Sequence, residues 1–241
     1  MEIKDGYLYF ETDLTVETKK KITGHSFVDL CGFNPYLKKG DSILNLVNII
    51  KSSFDVKYAY RGDAGEKISL LYHTKKLNEN VIYYDESTKK ELHYDCFQNY
   101  NQCGGIPDIE IPDKEIVVEI KSKSMKDYDK FGNDKNAVPK HELYQGMYYA
   151  YLRKYNLKMD YVFFDEETEN ELFQNQKVTT LKNIKFVEFD YDVNFKEIEN
   201  LIKECLIYYN KCIREKRIPI QDVSDKVLKL LNLKEFNENE L

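Results

Sequence analysis

Gly104-Gly105-Ile106-Pro107-Asp108-Ile109-Glu110-Ile111-Pro112-Asp113-Lys114-Glu115-Ile116-Val117-Val118-Glu119-Ile120-Lys121 sets the fold of this chain. Two apolar-rich runs flank a Pro-Asp-Lys-Glu turn, the pattern of a β-hairpin. Alternate side chains of a strand share a face, so Val117, Glu119 and Lys121 point one way and Ile116, Val118 and Ile120 the other. With residues 112 to 115 as the loop, Ile111 pairs with Ile116 and the ladder sets Asp108 opposite Glu119. Cβ atoms at such cross-strand pairs lie roughly 4.5 to 5.5 Å apart, close enough for two carboxylates to share one divalent cation.

Without a cation the two carboxylates repel, and a bound ion reverses that effect. Oxygen ligands left partly open to water suit Mg²⁺, with Mn²⁺ as a substitute, rather than zinc. Such an ion polarises a phosphodiester and generates hydroxide, while Lys121 is placed to orient the nucleophile or neutralise charge in the transition state. The same residues would also suit a solvated strand face in a chain that is 32% charged. The apolar setting, Ile106, Ile109, Ile111 and Ile116 to Val118, favours a central hairpin, where unpaired charges are costly and kept for function.

Outward from the hairpin, the polar stretch from Ser122 to Lys140 reads as a mobile loop broken by Gly132 and Pro139. On the amino-terminal side, Phe27 to Gly32, Asp41 to Ile50 (with Asp41 as N-cap) and residues 63 to 75 read as helices, and Asn80 to Tyr84 and Glu91 to Cys96 as strands. On the carboxyl-terminal side, Glu142 to Tyr155 and Phe195 to Arg214 read as helices, with strands over Asp160 to Asp165 and Lys185 to Tyr191. The expected fold class is α/β (α+β), a central mixed sheet flanked by helices. Few glycines and prolines and no linker or repeat point to one domain over 1–241.

The chain has 241 residues, 42% hydrophobic, with 36 Lys+Arg against 42 Asp+Glu and a net charge of -6. That composition argues against disorder, and neither a membrane span nor a signal-peptide layout is present, so a soluble intracellular protein is expected. Five scattered cysteines suit a reducing compartment. His93, Cys96 and Cys103 lack a fourth zinc ligand nearby. His73 and His141 carry no pattern. The acidic total speaks against a nucleic-acid partner, since phosphate affinity comes from Lys and Arg.

Set against known families, Pro107-Asp108 with Glu119-Ile120-Lys121 resembles the signature of the PD-(D/E)XK nucleases. Further segments resemble the branch of phage lambda exonuclease and YqaJ-like viral recombinases: Lys21-Ile22-Thr23-Gly24-His25-Ser26, Cys31-Gly32-Phe33-Asn34-Pro35-Tyr36, Arg61-Gly62-Asp63-Ala64-Gly65-Glu66, Gln145 with Tyr149, and Tyr208-Tyr209 through Ile218-Pro219. The resemblance runs from about residue 20 to about 220. It implies a restriction-endonuclease-like core in which Glu66, Asp108, Glu119 and the Ile120 carbonyl hold the metal, Lys121 is catalytic and Gln145 lies at the active site. It further implies DNA contacts from Lys19, Lys20, Lys21, His25, Ser26, Arg61, Lys123 and Tyr149. No arginine is in register at the 5′-phosphate position, His25 stands where relatives carry serine, and Ile106 replaces a small hydroxyl residue.

The resemblance implies a Mg²⁺-dependent enzyme digesting double-stranded DNA from an end, 5′ to 3′, in recombination or repair. A ring-shaped homotrimer and a single-strand annealing partner are implied with it. A site-specific endonuclease on the same core and a non-catalytic nucleic-acid-binding protein are the alternatives. Iron–sulfur relatives use one cysteine before the core and three after it, whereas Cys205 and Cys212 provide two, so neither an iron–sulfur cluster nor zinc is expected.

Overall fold

The computed structural model describes residues 1–51, 56–131, 134–175 and 183–233. The hairpin lies inside a five-stranded sheet: β3 (Ile82–Tyr83), β4 (Ile109–Ile111), β5 (Ile116–Ser124), β6 (Asn156–Phe164) and β7 (Lys185–Tyr191), hydrogen-bonded in that order. All neighbours are antiparallel except β5 and β6, which run parallel from Ile116 beside Asn156 to Ser124 beside Phe164. A smaller antiparallel sheet joins β1 (Glu2–Lys4), β2 (Tyr7–Tyr9) and β8 (Arg217–Pro219). The mixed sheet with flanking helices is the expected fold class.

The helices, in chain order, are α1 (Gly24–Leu30), α2 (Lys39–Leu46), α3 (Val56–Leu71), α4 (Glu86–Glu91), α5 (Tyr128–Phe131), α6 (Lys140–Arg153), α7 (Glu166–Asn175), α8 (Phe195–Glu215) and α9 (Asp225–Leu230). One core packs Phe27, Leu44, Tyr148 and Tyr209 from α1, α2, α6 and α8 on the sheet face carrying Val117, Leu157 and Tyr161. A second core lies on the opposite face, where Ile109, Val118, Ile120 and Val162 meet Ile68 of α3 and Leu172 of α7. Fully burying each such side chain contributes about 1.5–3 kcal/mol.

The hairpin register is as expected, with Ile111 opposite Ile116, and Pro112–Lys114 forms a 3₁₀ turn closed by Glu115 in the left-handed region. Four local expectations are corrected. Glu91 to Cys96 is not a strand: the Asp85 carboxylate caps α4 by accepting the Thr88 N–H at 2.8 Å, and His93 and Tyr94 follow with positive φ. Ser122–Ser124 belong to β5, because the parallel partner β6 supplies backbone hydrogen bonds as far as Phe164. Beyond them lie the short helical turns Met125–Asp127, α5 and Lys135–Ala137, with Gly132 outside the described residues. Asp41 sits inside the first turn of α2, accepting the Lys38 N–H at 3.1 Å and the Ser224 N–H at 2.9 Å. Asp165 leaves β6 to cap α7, accepting the Thr168 N–H at 2.8 Å.

A buried polar knot fastens α3 to the sheet. His73, in the π-turn Tyr72–Lys76 that continues α3, is 0% exposed. Its Nε2 lies 2.9 Å from Asp160 Oδ2 on β6 and its Nδ1 lies 2.5 Å from Glu79 Oε2. Ser69 donates to the same Asp160 oxygen at 2.5 Å. Burial lowers the His73 pKa, but hydrogen bonds and charge from Asp160 and Glu79 outweigh it, so the net shift is upward. A histidine raised in the folded state stabilises fully below its unfolded value and loses that contribution as pH climbs through the folded value. We therefore expect His73→Gln to lower stability by roughly 3 kcal/mol at about pH 6. The gap between the melting temperatures of wild type and variant should narrow as pH rises through the folded value; a gap constant with pH would contradict the assignment.

Candidate active site

The residues of the hairpin motif meet at one end of the sheet. Glu119, on β5, is 1% exposed. Its Oε1 accepts a hydrogen bond from Lys121 Nζ at 2.7 Å, and the same ammonium donates to Gln145 Oε1 on α6 at 3.1 Å. Asp108, immediately before β4, accepts the Ile120 N–H at 2.8 Å, so its carboxylate replaces a backbone partner where the ladder ends. Glu66 reaches the cluster from α3, its Oε2 accepting from Tyr83 Oη at 3.3 Å with Lys89 Nζ at 3.6 Å.

Two glycines permit this approach of helices to strand. A Cβ at Gly65 would collide with Ser122 Oγ of β5, so glycine lets α3 lie close enough to present Glu66. A Cβ at Gly146 would stand 2.6 Å from Leu157 Cδ1 and 3.0 Å from Glu119 Cβ, so glycine lets α6 bring Gln145 to Lys121.

The electrostatics follow from three buried carboxylates facing Lys121 and, on the Glu66 side, Lys89. Burial pushes the Glu119 carboxyl up to about 8, aided by Asp108 and Glu66 and opposed by Lys121. Burial and the Asp108 charge push Glu66 up to about 7, against Lys89. Asp108 is raised by burial, opposed by Lys121 and the Ile120 N–H. Burial works against the Lys121 ammonium, but Glu119 and Asp108 outweigh it and its pKa rises.

Among the described residues no three His, Cys, Asp or Glu side chains close tightly enough to coordinate a metal as they stand. The donor set nonetheless fits a hard cation. Glu119 Oε2 is buried with no hydrogen-bond partner, and a buried unpaired carboxylate oxygen is costly unless something positive answers it. All the donors are oxygens, the chemistry of Mg²⁺ and Mn²⁺ sites.

The remaining sequence candidates divide into those at the cleft and those turned to other work. His25, at the start of α1, is exposed, and the surrounding protein and the Lys121 charge both act to lower its pKa. Lys123 pairs with Glu142 of α6. Ser26 is buried and accepts the Thr23 N–H at 2.8 Å, completing the cap of α1. Tyr149 is buried, accepting the Gly24 N–H at 3.2 Å, with its ring stacked on Phe97. Arg61 is paired with Glu169 of α7 at 2.6 Å. Lys19 donates to Gln102 Oε1 at 2.9 Å, Lys20 to Asn48 Oδ1 at 2.6 Å and Lys21 to Asp95 Oδ2 at 2.6 Å.

Sequence reading misses Glu142, which is buried between Lys123 and the Tyr161 hydroxyl, the latter donating at 2.7 Å. Its spacing from Gln145 puts both on one helix face, the available signal.

A mixed sheet with Asp108 just before one strand and Glu-x-Lys on its hairpin mate, with a glutamate and a glutamine supplied by flanking helices, is the arrangement that the resemblance leads one to expect. No protein-family model and no curated protein matches the chain. Among solved structures it is similar to a phage-related exonuclease from Haemophilus somnus 129PT, with a TM-score of 0.55 at 16% identity over 82% of this chain and 96% of that one. It is also similar to an alkaline exonuclease from Laribacter hongkongensis, with a TM-score of 0.50 at 14% identity over 89% of this chain and 95% of that one. The expected likeness to exonucleases of this branch thus holds at the level of the fold. No helix of the described residues is long and apolar enough to cross a membrane.

An acid whose folded value lies above its unfolded one keeps a proton that the unfolded chain releases, so stability falls with rising pH between the two values. For Glu119 that window runs from its ordinary value of 4.5 to about 8. In chelator, wild-type stability should fall across this range in urea titrations, and Glu119→Gln should make the fall clearly shallower, the remainder coming from Glu66 and Asp108. Equal pH slopes for the two proteins would refute the raised Glu119 value.

Proposed function

We propose that this chain is a Mg²⁺-dependent deoxyribonuclease that hydrolyses phosphodiester bonds of double-stranded DNA from an end, in the 5′ to 3′ direction with 5′-phosphorylated products. The observation that carries the reading is the buried Glu119–Lys121 pair, with Glu119 Oε2 unpartnered beside Asp108 and Glu66. Its fold, shared with two solved exonucleases, supports the same reading.

Glu66, Asp108, Glu119 and the Ile120 carbonyl would hold the cation, with Mn²⁺ able to substitute. When bound, Mg²⁺ supplies Lewis acidity and makes water a stronger acid. Lys121, kept protonated by Glu119 and Asp108, stabilises negative charge developing on the phosphate. Gln145 holds that ammonium from the α6 side. His25, exposed at the start of α1, is placed to hydrogen-bond DNA. The proposal extends to a role in DNA recombination, a homotrimeric ring around the duplex and a single-strand annealing partner.

Duplexes labelled at either end, with and without a 5′ phosphate, test the reaction directly. Mg²⁺ should support progressive shortening from 5′ ends, and Glu119→Gln and Lys121→Ala should each lower the rate roughly 100-fold or more. Discrete fragments from closed circular DNA would establish an endonuclease instead. Full activity of both variants, or no hydrolysis by wild type, would exclude this active site.

A further inference from the structure

We propose that Tyr36 is a stacking platform for an unpaired nucleobase next to the active site, an inference that rests on the nuclease reading. Tyr36 follows α1 in the turn Asn34-Pro35-Tyr36 and is 83% exposed. The turn is rigid. Asn34 Nδ2 donates to the buried Asp29 carboxylate at 2.7 Å, Asn34 Oδ1 accepts the Tyr36 N–H at 2.9 Å, and Pro35 fixes its own φ. A tyrosine loses little further conformational entropy when a ligand covers it from such a base.

A single exposed aromatic is ordinary on a protein surface. What distinguishes this one is its surroundings. Its ring meets the His141 ring edge-on at a centroid separation of 6.3 Å. His141 starts α6 next to Glu142, its Nε2 3.7 Å from Glu142 Oε1, and Lys123 holds that same oxygen. The charges of Lys121 and Lys123 both reach His141, which puts Tyr36 one side chain removed from the residues around Lys121. Lys130 lies within electrostatic range of the Tyr36 hydroxyl. Lys140 covers the neighbouring Phe33 ring at 3.7 Å.

Tyr36 also borders a cleft of about 440 Å³ whose lining includes Pro35, Lys38, Lys39, Gln221 and Asp222. A flat π-face bounded by lysines suits a single-stranded segment, whose phosphates need cations and whose bases stack on aromatics without regard to sequence.

The chain contains no tryptophan. Tyr36→Trp therefore yields a protein whose entire indole emission comes from this position. The probe is a fluorescein-labelled, 5′-phosphorylated duplex with a short unpaired end, with Ca²⁺ replacing Mg²⁺ to prevent hydrolysis. Stacking predicts strong quenching of the indole as DNA is added, saturating together with the fluorescein anisotropy. In Mg²⁺, Tyr36→Ala should raise KM for the same duplex roughly 5- to 100-fold with a much smaller effect on kcat, and Tyr36→Phe should restore KM because the ring, not the hydroxyl, does the stacking. If anisotropy reports binding while the indole emission stays unchanged, or if Tyr36→Ala keeps the wild-type KM, the stacking inference falls and the nuclease reading stands. If wild type binds no DNA, both fall together.

Discussion

A carboxylate can occupy the middle of an apolar sheet only if something positive lies within reach, and the Lys121 ammonium is what makes Glu119 tolerable on β5. The rest of the architecture is arranged around that pair. Glycine at 146 admits α6 so that Gln145 can take a second bond from the ammonium, and glycine at 65 admits α3 so that Glu66 can face the same space. Lys121, with Lys89 on the Glu66 side, nevertheless does not outweigh the burial of Glu66, Asp108 and Glu119, and all three are pushed upward in pKa. The cluster is therefore a place where buried charge is left partly unanswered, a pattern common where stability is given up for chemistry.

How much of this is readable in the sequence depends on how local the determinants are. The register of β4 and β5 follows from a short turn and alternating residues, so the approach of Asp108 to β5 is legible in the hairpin's own eighteen or so residues. The extension of β5 to Ser124 is not, because its partner β6 lies beyond an entire helix and nothing in Ser122-Lys123-Ser124 announces a parallel neighbour. The Glu91 to Cys96 segment misleads through its alternation, while the deciding residue, Asp85, lies upstream and acts through one capping bond. His73 and Glu142 stay hidden for a related reason. Their partners, Asp160, Lys123 and Tyr161, belong to strands brought alongside only by the tertiary fold.

The net charge of -6, taken as a sum, argues against a nucleic-acid partner. The structure changes what that number means. Part of the acidity is the carboxylate cluster itself, which a divalent cation would neutralise locally. Many basic residues already have partners: Lys21 with Asp95, Lys123 with Glu142, Lys130 with Asp127. Exposed pairs such as the last are worth little in water, so a phosphate can replace the carboxylate at small cost. The Lys123–Glu142 pair is different, because Glu142 is buried and would be left with the Tyr161 hydroxyl and the nearby His141. Distribution, rather than the sum, governs what can bind.

The abundance of tyrosine answers the same constraint. A fold that buries carboxylates and irregular backbone beside one another needs apolar side chains that end in a hydrogen-bonding group. Tyr84 donates to Glu110 at 2.7 Å and Tyr161 to Glu142 at 2.7 Å, each from within a core. Tyr148 and Tyr149, adjacent on α6, stitch two loops together. The Tyr148 hydroxyl donates to the Ile22 carbonyl at 2.5 Å and accepts the Gly104 N–H at 3.2 Å, while Tyr149 accepts the Gly24 N–H. Ile22 also donates to the Gln102 carbonyl and accepts from Gly104, so the start of α1 and the entry to β4 move as one unit. His25 is thereby fixed relative to Asp108. Phenylalanine at 149 would fill the same space, yet it would leave the Gly24 N–H, at the start of α1, without the acceptor that ties it to α6.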